Sequence, residues 1–270
     1  NSFHDIEHPL FREVLKQFNV SGVEINSNAD IPSGTGLGSS SSFTVALLLN
    51  FFSRHSKLVD KHFLANEACD IEINRLKDPI GKQDQFAASF GGLNIFSFHP
   101  NGSVSVDPIF LNPETYYKLE NNLLMFYTGS QRKASDILAD QKKSMTDSKK
   151  RNILSKMVDL VWEIKSVLHQ GKIDHFGQLL HQNWLYKREL SNGITNDFID
   201  TIYNTGLKNG ALGGKLLGAG GSGFMLFYCP QDKHAQLRDS FSHLKEIPFK
   251  FEQDGAKLIY VGDEYEHLSK

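Results

Sequence analysis

Between residues 32 and 42 the chain reads Pro32-Ser33-Gly34-Thr35-Gly36-Leu37-Gly38-Ser39-Ser40-Ser41-Ser42, and from Phe43 to Phe52 it is apolar on nearly all sides. The apolar run predicts a buried helix. The segment before it is then a glycine loop that feeds a helix start. A serine N-cap would account for one or two of these residues, but three alternating glycines followed by four serines exceed what a cap needs. A helix start leaves backbone N–H groups unpaired and carries a partial positive charge, and a phosphate satisfies both. The glycines let the backbone approach phosphate oxygens and take positive φ. The serines add hydroxyl donors, one of which can turn an oxygen toward Mg²⁺. Two other phosphate loops are excluded. The P-loop requires G-K-[ST] after its second glycine, and Gly38 is followed by Ser39. The dinucleotide fingerprint G-x-G-x-x-G fails here at Ser39. Gly218, Gly220 and Gly223 fit its spacing but lead into the strand-like Phe224–Phe227 instead of a helix.

The chain has 270 residues, 40% of them hydrophobic, enough for one large domain or two modest ones. Its formal net charge of −2 gives no field that favours nucleic acid or an anionic membrane. The apolar run at Thr44–Phe52 is about half of what spans a bilayer. Cys69 and Cys229 stand far apart, form neither a disulfide framework nor a zinc motif, and fit a reducing cytoplasm. Asn1-Ser2-Phe3 opens the chain without an initiator Met, so an N-terminal portion is expected to be missing. A homodimer is left open.

Hydrophobic periodicity predicts helices over 8–19, 43–52, 60–76, from Lys82 to Gly91-Gly92, and over 135–145, 150–169, 174–190, 196–208 and 232–244. Alternation predicts strands at Val23–Ile25, a hairpin over 93–98 and 104–106 around Pro100-Asn101-Gly102, and strands at 123–127, 224–228, 248–252 and 258–261. The order is mixed, with no βαβα alternation, which gives class α+β. Two domains are expected, one over 1–118 that carries the glycine loop and a second over 119–270.

Two carboxylates have settings of interest. Glu72 lies on the 60–76 helix between Ile71 and Ile73, and Asp84 sits in Gly81-Lys82-Gln83-Asp84-Gln85 at a helix start. A carboxylate at a helix N-terminus is as well explained by the dipole as by catalysis, and the spacing alone leaves both open. Lys82, two residues away, could lower the Asp84 pKa.

Taken together, Pro32-x-x-x-Gly36-Leu37-Gly38-Ser39-Ser40-Ser41 resembles the second motif of the GHMP kinases, and Lys215-x-x-Gly218-Ala219-Gly220-Gly221-Ser222-Gly223 resembles their third. Within that superfamily Ile31–Val45, Asp78–Asn94, Phe126–Leu138 and Asn209–Phe227 are similar to the bacterial D-glycero-D-manno-heptose 7-phosphate kinases. The resemblance implies a two-domain fold, ribosomal protein S5 domain 2-like at the N-terminus and ferredoxin-like at the C-terminus. It implies ATP- and Mg²⁺-dependent transfer to the anomeric hydroxyl of a sugar phosphate, in nucleotide-activated heptose synthesis for surface polysaccharide. Asp84 matches the base or orienting aspartate, with Lys82 beside it. Glu72 and Ser40 match the metal-binding pair. Pro32, Gly34, Gly36, Leu37, Gly38, Ser39, Ser40 and Ser41 match the triphosphate cradle, and Gly220 and Gly221 the loop that supports it and borders the acceptor. Residues 1–30 do not match the family's first motif, so that motif and its strands are expected to be absent from this sequence. A fucokinase- or galactokinase-like enzyme and an inactive sensor on the same fold are the alternatives.

A phosphorylated acceptor needs cations and hydroxyl donors. Arg132 and Ser130 follow the 123–127 strand at a predicted helix start, and Lys187 and Arg188 close the 174–190 helix. Arg132, Ser130, Lys187 and Gly220 are the acceptor-side candidates. Trp184 and Tyr186 read as core.

Overall fold

A computed structural model describes residues 5–20, 22–31, 34–129 and 147–260. The chain divides into two compact units. The first comprises Asn1–Asp30, Gly38–Val104 and Glu252–Lys270; the second comprises Ile31–Leu37 and Ser105–Phe251. The division falls inside the glycine loop, between Leu37 and Gly38.

The first unit is mainly helical. Helices α1 (Pro9–Phe18), α2 (Ser39–Arg54) and α3 (Lys61–Cys69) are followed by a π-helical turn, Asp70–Arg75, and by α4 (Gln83–Phe90). Leu10, Val14 and Leu15 of α1 pack with Val45, Leu48, Phe51 and Phe52 of α2, Leu64 and Ala68 of α3, and Ile71. Asp60 starts α3 by accepting a hydrogen bond from the Phe63 N–H at 2.7 Å. The helix predicted over 60–76 is therefore two pieces. Its second half widens to the π form, a turn that recurs at functional sites. Val23 and Ile25 are partly buried against this core but form no strand. Among the described residues nothing pairs with their backbone, and apolar alternation without a ladder partner gives only extended chain. Strands β1 (Asn94–Phe98) and β2 (Val104–Pro108) form the predicted hairpin.

Residues 252–256 return to this unit as a strap. Gly92 N–H donates to Glu252 O at 2.6 Å, and Ala256 N–H donates to Ala88 O at 2.9 Å. The Lys61 ammonium clamps the strap by donating to Phe90 O at 2.9 Å and Asp254 O at 2.7 Å. Gly91 lies so close to Gly255 that a Cβ on it would be 2.7 Å from the Gly255 Cα, and its φ is +64°.

The second unit is built on an antiparallel sheet in the order β4-β5-β3-β6, where β3 is Leu123–Tyr127, β4 Gly213–Leu216, β5 Phe224–Tyr228 and β6 Lys245–Glu246. Phe126 and Phe227 pack with Trp184, Tyr203 and Phe241 in its core. Around the sheet run α5 (Pro113–Asn121), α6 (Ser148–His169), α7 (Ile173–Leu190), α8 (Asp197–Lys208) and α9 (His234–Ser240). The helix predicted over 232–244 is shorter: a 3₁₀ turn at Gln231–Lys233 precedes α9, and the chain turns at the buried Phe241. Residues 248–252 are extended without a ladder. Glu120 holds them instead, accepting from the Lys250 ammonium at 2.7 Å and the Phe251 N–H at 2.8 Å. Residues 258–260 form no strand, and residue 261 and the helix predicted over 135–145 lie outside the described residues.

The Gly91 backbone is close to glycine-only, and a side chain there would strike the strap. Gly91→Ala should cost about 2–4 kcal/mol, from backbone strain plus displaced chain, read by urea unfolding. A loss below about 1 kcal/mol would show that the strap does not press on the end of α4.

Candidate active site

In the first unit the site is organised by Glu72, which is 0% exposed. A buried carboxylate is tolerated only when donors surround it. Here Ser40 Oγ donates to Oε1 at 2.5 Å, Thr44 Oγ1 lies 3.2 Å from the same oxygen, and Ser41 Oγ donates to Oε2 at 2.9 Å. The Gln85 amide also donates to Oε2. Three donors come from the first two turns of α2 and one from α4, so a single carboxylate fixes both helix starts around the π turn. Thr44 Oγ1 is also 3.0 Å from Ser40 O. Ser40 is exposed and Ser41 buried. Ser41 thus faces inward, and the Ser40 hydroxyl, its proton held by Glu72, keeps its lone pairs for an incoming group.

Asp84 opens α4 beside this network. A Cβ on Gly38, whose φ is +68°, would lie 3.4 Å from Asp84 Oδ2, so the carboxyl rests against the loop backbone at the start of α2. Burial raises its pKa, and the Glu72 charge raises it further. Lys82 does not counter this. Its ammonium donates to Gly102 O at 2.5 Å in the hairpin turn, and the expected lowering of Asp84 is absent. The same Lys82 charge acts on Cys69, whose thiol burial still pushes up to about 12.

The second unit holds the start of the glycine loop against the second glycine motif. A Cβ on Gly218 would lie 2.5 Å from the Gly36 Cα, one on Gly36 would lie 2.9 Å from Leu217 O, and one on Gly223 would collide with Thr35 O. These two backbones touch, and only glycine permits it. Gly220 and Gly221 are buried. Ile194 lies behind them, accepting the Gly221 N–H at 2.9 Å, and Asn196 Nδ2 donates to Gly221 O at 3.1 Å. Among the described residues nothing lies within 4 Å of where a Cβ on Gly34 would sit, and Leu37 and Ser39 are half-buried. Lys187 donates to Gly218 O at 2.6 Å. Pro32, Ser130 and Arg132 lie outside the described residues.

Sequence reasoning assigned no site role to Thr44, Gln85, Ile194 or Asn196. The first two had a signal: Thr44 is four residues after Ser40, and Gln85 directly follows Asp84. Among the described residues no group of three or more His, Cys, Asp or Glu could hold a metal. An oxygen-seeking cation would have Ser40 Oγ and, behind it, the Glu72 carboxylate.

A glycine-rich helix start, a buried carboxylate behind its serine and a second carboxyl at the loop define a phosphotransferase with an alcohol acceptor. Residues 8–92 match the family model described as the GHMP kinases N terminal domain, and residues 164–243 match the one described as GHMP kinases C terminal. The two together match more than half of the chain, which belongs to the GHMP kinases. It is 29% identical to the D-glycero-alpha-D-manno-heptose 7-phosphate kinase of Campylobacter jejuni, over 94% of this chain and 76% of that protein. It is 30% identical to the L-fucokinase/L-fucose-1-P guanylyltransferase of Bacteroides fragilis, over 88% of this chain but 25% of that protein. Among solved structures, a D-glycero-D-manno-heptose 1-phosphate kinase from Bacteroides thetaiotaomicron superposes with a TM-score of 0.67 at 25% identity, covering 94% of this chain and 74% of that one.

The folded chain holds the Asp84 proton to higher pH than the unfolded chain does. The contribution of this group to stability therefore falls as pH rises from the ordinary carboxylate range through its folded pKa. Glu72→Gln removes one of the two causes and leaves burial. The Asp84 pKa should fall without returning to its ordinary value, followed by carboxyl-carbon NMR titration. An unmoved Asp84 would disprove the coupling.

Proposed function

We propose that this chain transfers the terminal phosphate of ATP to the anomeric hydroxyl of D-glycero-D-manno-heptose 7-phosphate, forming the 1,7-bisphosphate. The observation that carries the reading is the buried Glu72, which ties Ser40 of the glycine loop to the helix that bears Asp84. Phosphoryl transfer asks a protein mainly for positioning and charge stabilisation. The loop N–H groups of Gly36, Leu37, Gly38, Ser39 and Ser40 receive the nucleotide phosphates. Pro32, Gly34 and Ser41 complete that segment, and Gly220 and Gly221 support it. Asp84 orients the attacking hydroxyl and takes its proton; burial and the Glu72 charge raise its pKa, which makes it a stronger proton acceptor. Lys82 holds the neighbouring turn, and Lys187, Gly220, Ser130 and Arg132 are assigned to the acceptor side.

The donor set fits Mg²⁺, which takes one or two carboxylates with water and substrate phosphates. Ser40 Oγ would hold it, with Glu72 behind. When bound there, Mg²⁺ would neutralise charge on the phosphate being transferred. Two buried free cysteines favour a cytoplasmic setting, and no helix among the described residues is long and apolar enough to cross a membrane.

The choice of acceptor rests on the Campylobacter relative, whose name places the phosphate at position 7. The Bacteroides structure carries a 1-phosphate name, and the fucokinase relative supports an unphosphorylated sugar as the second reading. Coupled ADP release across heptose 7-phosphate, heptose 1-phosphate, fucose and galactose, with ³¹P NMR of the product, separates them. The expected result is ADP release with heptose 7-phosphate and a new anomeric phosphate signal. Turnover of an unphosphorylated sugar with none of heptose 7-phosphate would refute the assignment.

A further inference from the structure

The second unit carries two neighbouring lysines, Lys187 and Lys215, that among the described residues pair with no carboxylate. Helix α7 lies along β4: a Cβ on Gly213 would collide with Gly177 O, and ten residues further along the helix Lys187 Nζ reaches Gly218 O. Ten helical residues advance about 15 Å, and the five steps from Gly213 to Gly218, the first three within β4, span at most about 17 Å. Helix and strand therefore keep pace, and Lys187 ends beside the segment that leaves β4. Side chains alternate along a strand, so Lys215 shares the face of Gly213, which is the face covered by α7.

Among the described residues neither lysine pairs with a carboxylate. Lys187 uses one of its three donors on Gly218 O, and the Lys215 ammonium has no hydrogen-bond partner there. Burial and the neighbouring Lys215 push the Lys187 pKa down to about 7, and burial lowers that of Lys215. Two partly desolvated cations side by side are costly unless an anion joins them. A core position would have been filled more stably by an apolar chain. Trp184, one turn before Lys187, shows that α7 supplies such residues where packing alone is needed.

We propose that Lys187 and Lys215 form a phosphate subsite beside the Gly218–Gly223 loop, and that it takes the phosphate already present on the acceptor. The inference rests on the reading of this chain as a sugar-phosphate kinase. A phosphate monoester is close to a dianion at neutral pH, so two ammonium groups match its charge, and Lys binds phosphate as a point charge. The nucleotide phosphates have their own cradle at the start of α2. The terminal phosphate of ATP nonetheless has the same chemistry, and the test must separate the two sources.

Lys215→Gln is the cleaner variant, because its ammonium supports no bond in the free protein. Lys187→Gln also removes the anchor on Gly218 O. With heptose 7-phosphate varied at saturating ATP, Lys215→Gln should raise KM for the sugar phosphate about 10–100-fold, the size of a lost charge-assisted bond. KM for ATP should stay within about twofold, and Lys215→Arg should restore most of the loss. An unchanged sugar-phosphate KM, or a rise confined to ATP, overturns the assignment. A second readout needs no turnover. With a non-hydrolysable ATP analogue saturating the nucleotide cradle, inorganic phosphate should raise the melting temperature of the wild-type protein and not that of Lys215→Gln. If neither protein responds, the subsite is refuted whatever the acceptor is. If the wild type responds but releases no ADP with any sugar phosphate, the subsite stands as an anion site, and both the sugar-phosphate reading and its link to the acceptor fall.

Discussion

The Glu72 carboxylate is the interaction on which the polar cluster of the first unit depends. It is fully buried, and its charge is tolerated because Ser40, Ser41, Thr44 and Gln85 surround it. Each donor is also constrained in return. Ser40 is held at the helix start with its lone pairs outward, Ser41 is drawn in, and Gln85 fixes the first turn of α4, where Asp84 sits. The cost of leaving such a carboxylate partly unsatisfied is several times the net value of one hydrogen bond, so the loop, the π turn and α4 hold one arrangement. Among the described residues, Gln85 Oε1 and Ser89 Oγ, both buried on α4, have no hydrogen-bond partner. The polar face of that helix is thus not fully satisfied around its one anchored amide.

The second unit solves a different problem by removing side chains. Gly36 meets Gly218, Gly223 meets Thr35, and Gly220 meets Ile194 at separations that leave no room for a Cβ. Several of these glycines also take positive φ, Gly36 at +83°, Gly218 at +75° and Gly220 at +126°. The motif is glycine-rich for two reasons: the backbone turns sharply, and another backbone lies against it. Thr128 closes the same region, its hydroxyl 2.9 Å from Gly223 O.

Much of this was legible in the sequence because the signals were local. The buried helix after the serines, the hairpin around Asn101-Gly102, and the strands at 123–127 and 224–228 follow from periodicity, and the structure has each of them. Other elements depend on a partner distant in sequence. Val23 and Ile25 alternate like a strand yet find no ladder, whereas Gly213–Leu216 looks like loop and is a strand. Its glycines hide the β signal, and they are there because α7 and Phe227 crowd the backbone. Helix α5 is absent from the elements that periodicity predicts, although Asn112 and Pro113 are a sound start signal, with Asn112 accepting the Thr115 N–H at 2.8 Å. In the site, Glu72, Ser40 and Asp84 could be named from the family motifs. The convergence of Thr44 and Gln85 on Glu72 could not, because it needs the π turn, which no simple period announces. The direction of Lys82 was equally hidden, since only the fold places Gly102 O within its reach.

In the proposed reaction the Glu72 network holds Asp84 as the group that activates the acceptor hydroxyl. Single-turnover transfer from radiolabelled ATP in Asp84→Asn tests it most directly, with nucleotide affinity measured on the same protein by calorimetry. Asparagine keeps the size and position of the side chain and loses only the proton acceptor. The transfer rate should fall about 10²–10⁴-fold, with ATP affinity changed less than about twofold. A transfer rate near that of the unaltered protein would contradict the account, because the carboxyl held against Gly38 would then have no part in the chemistry.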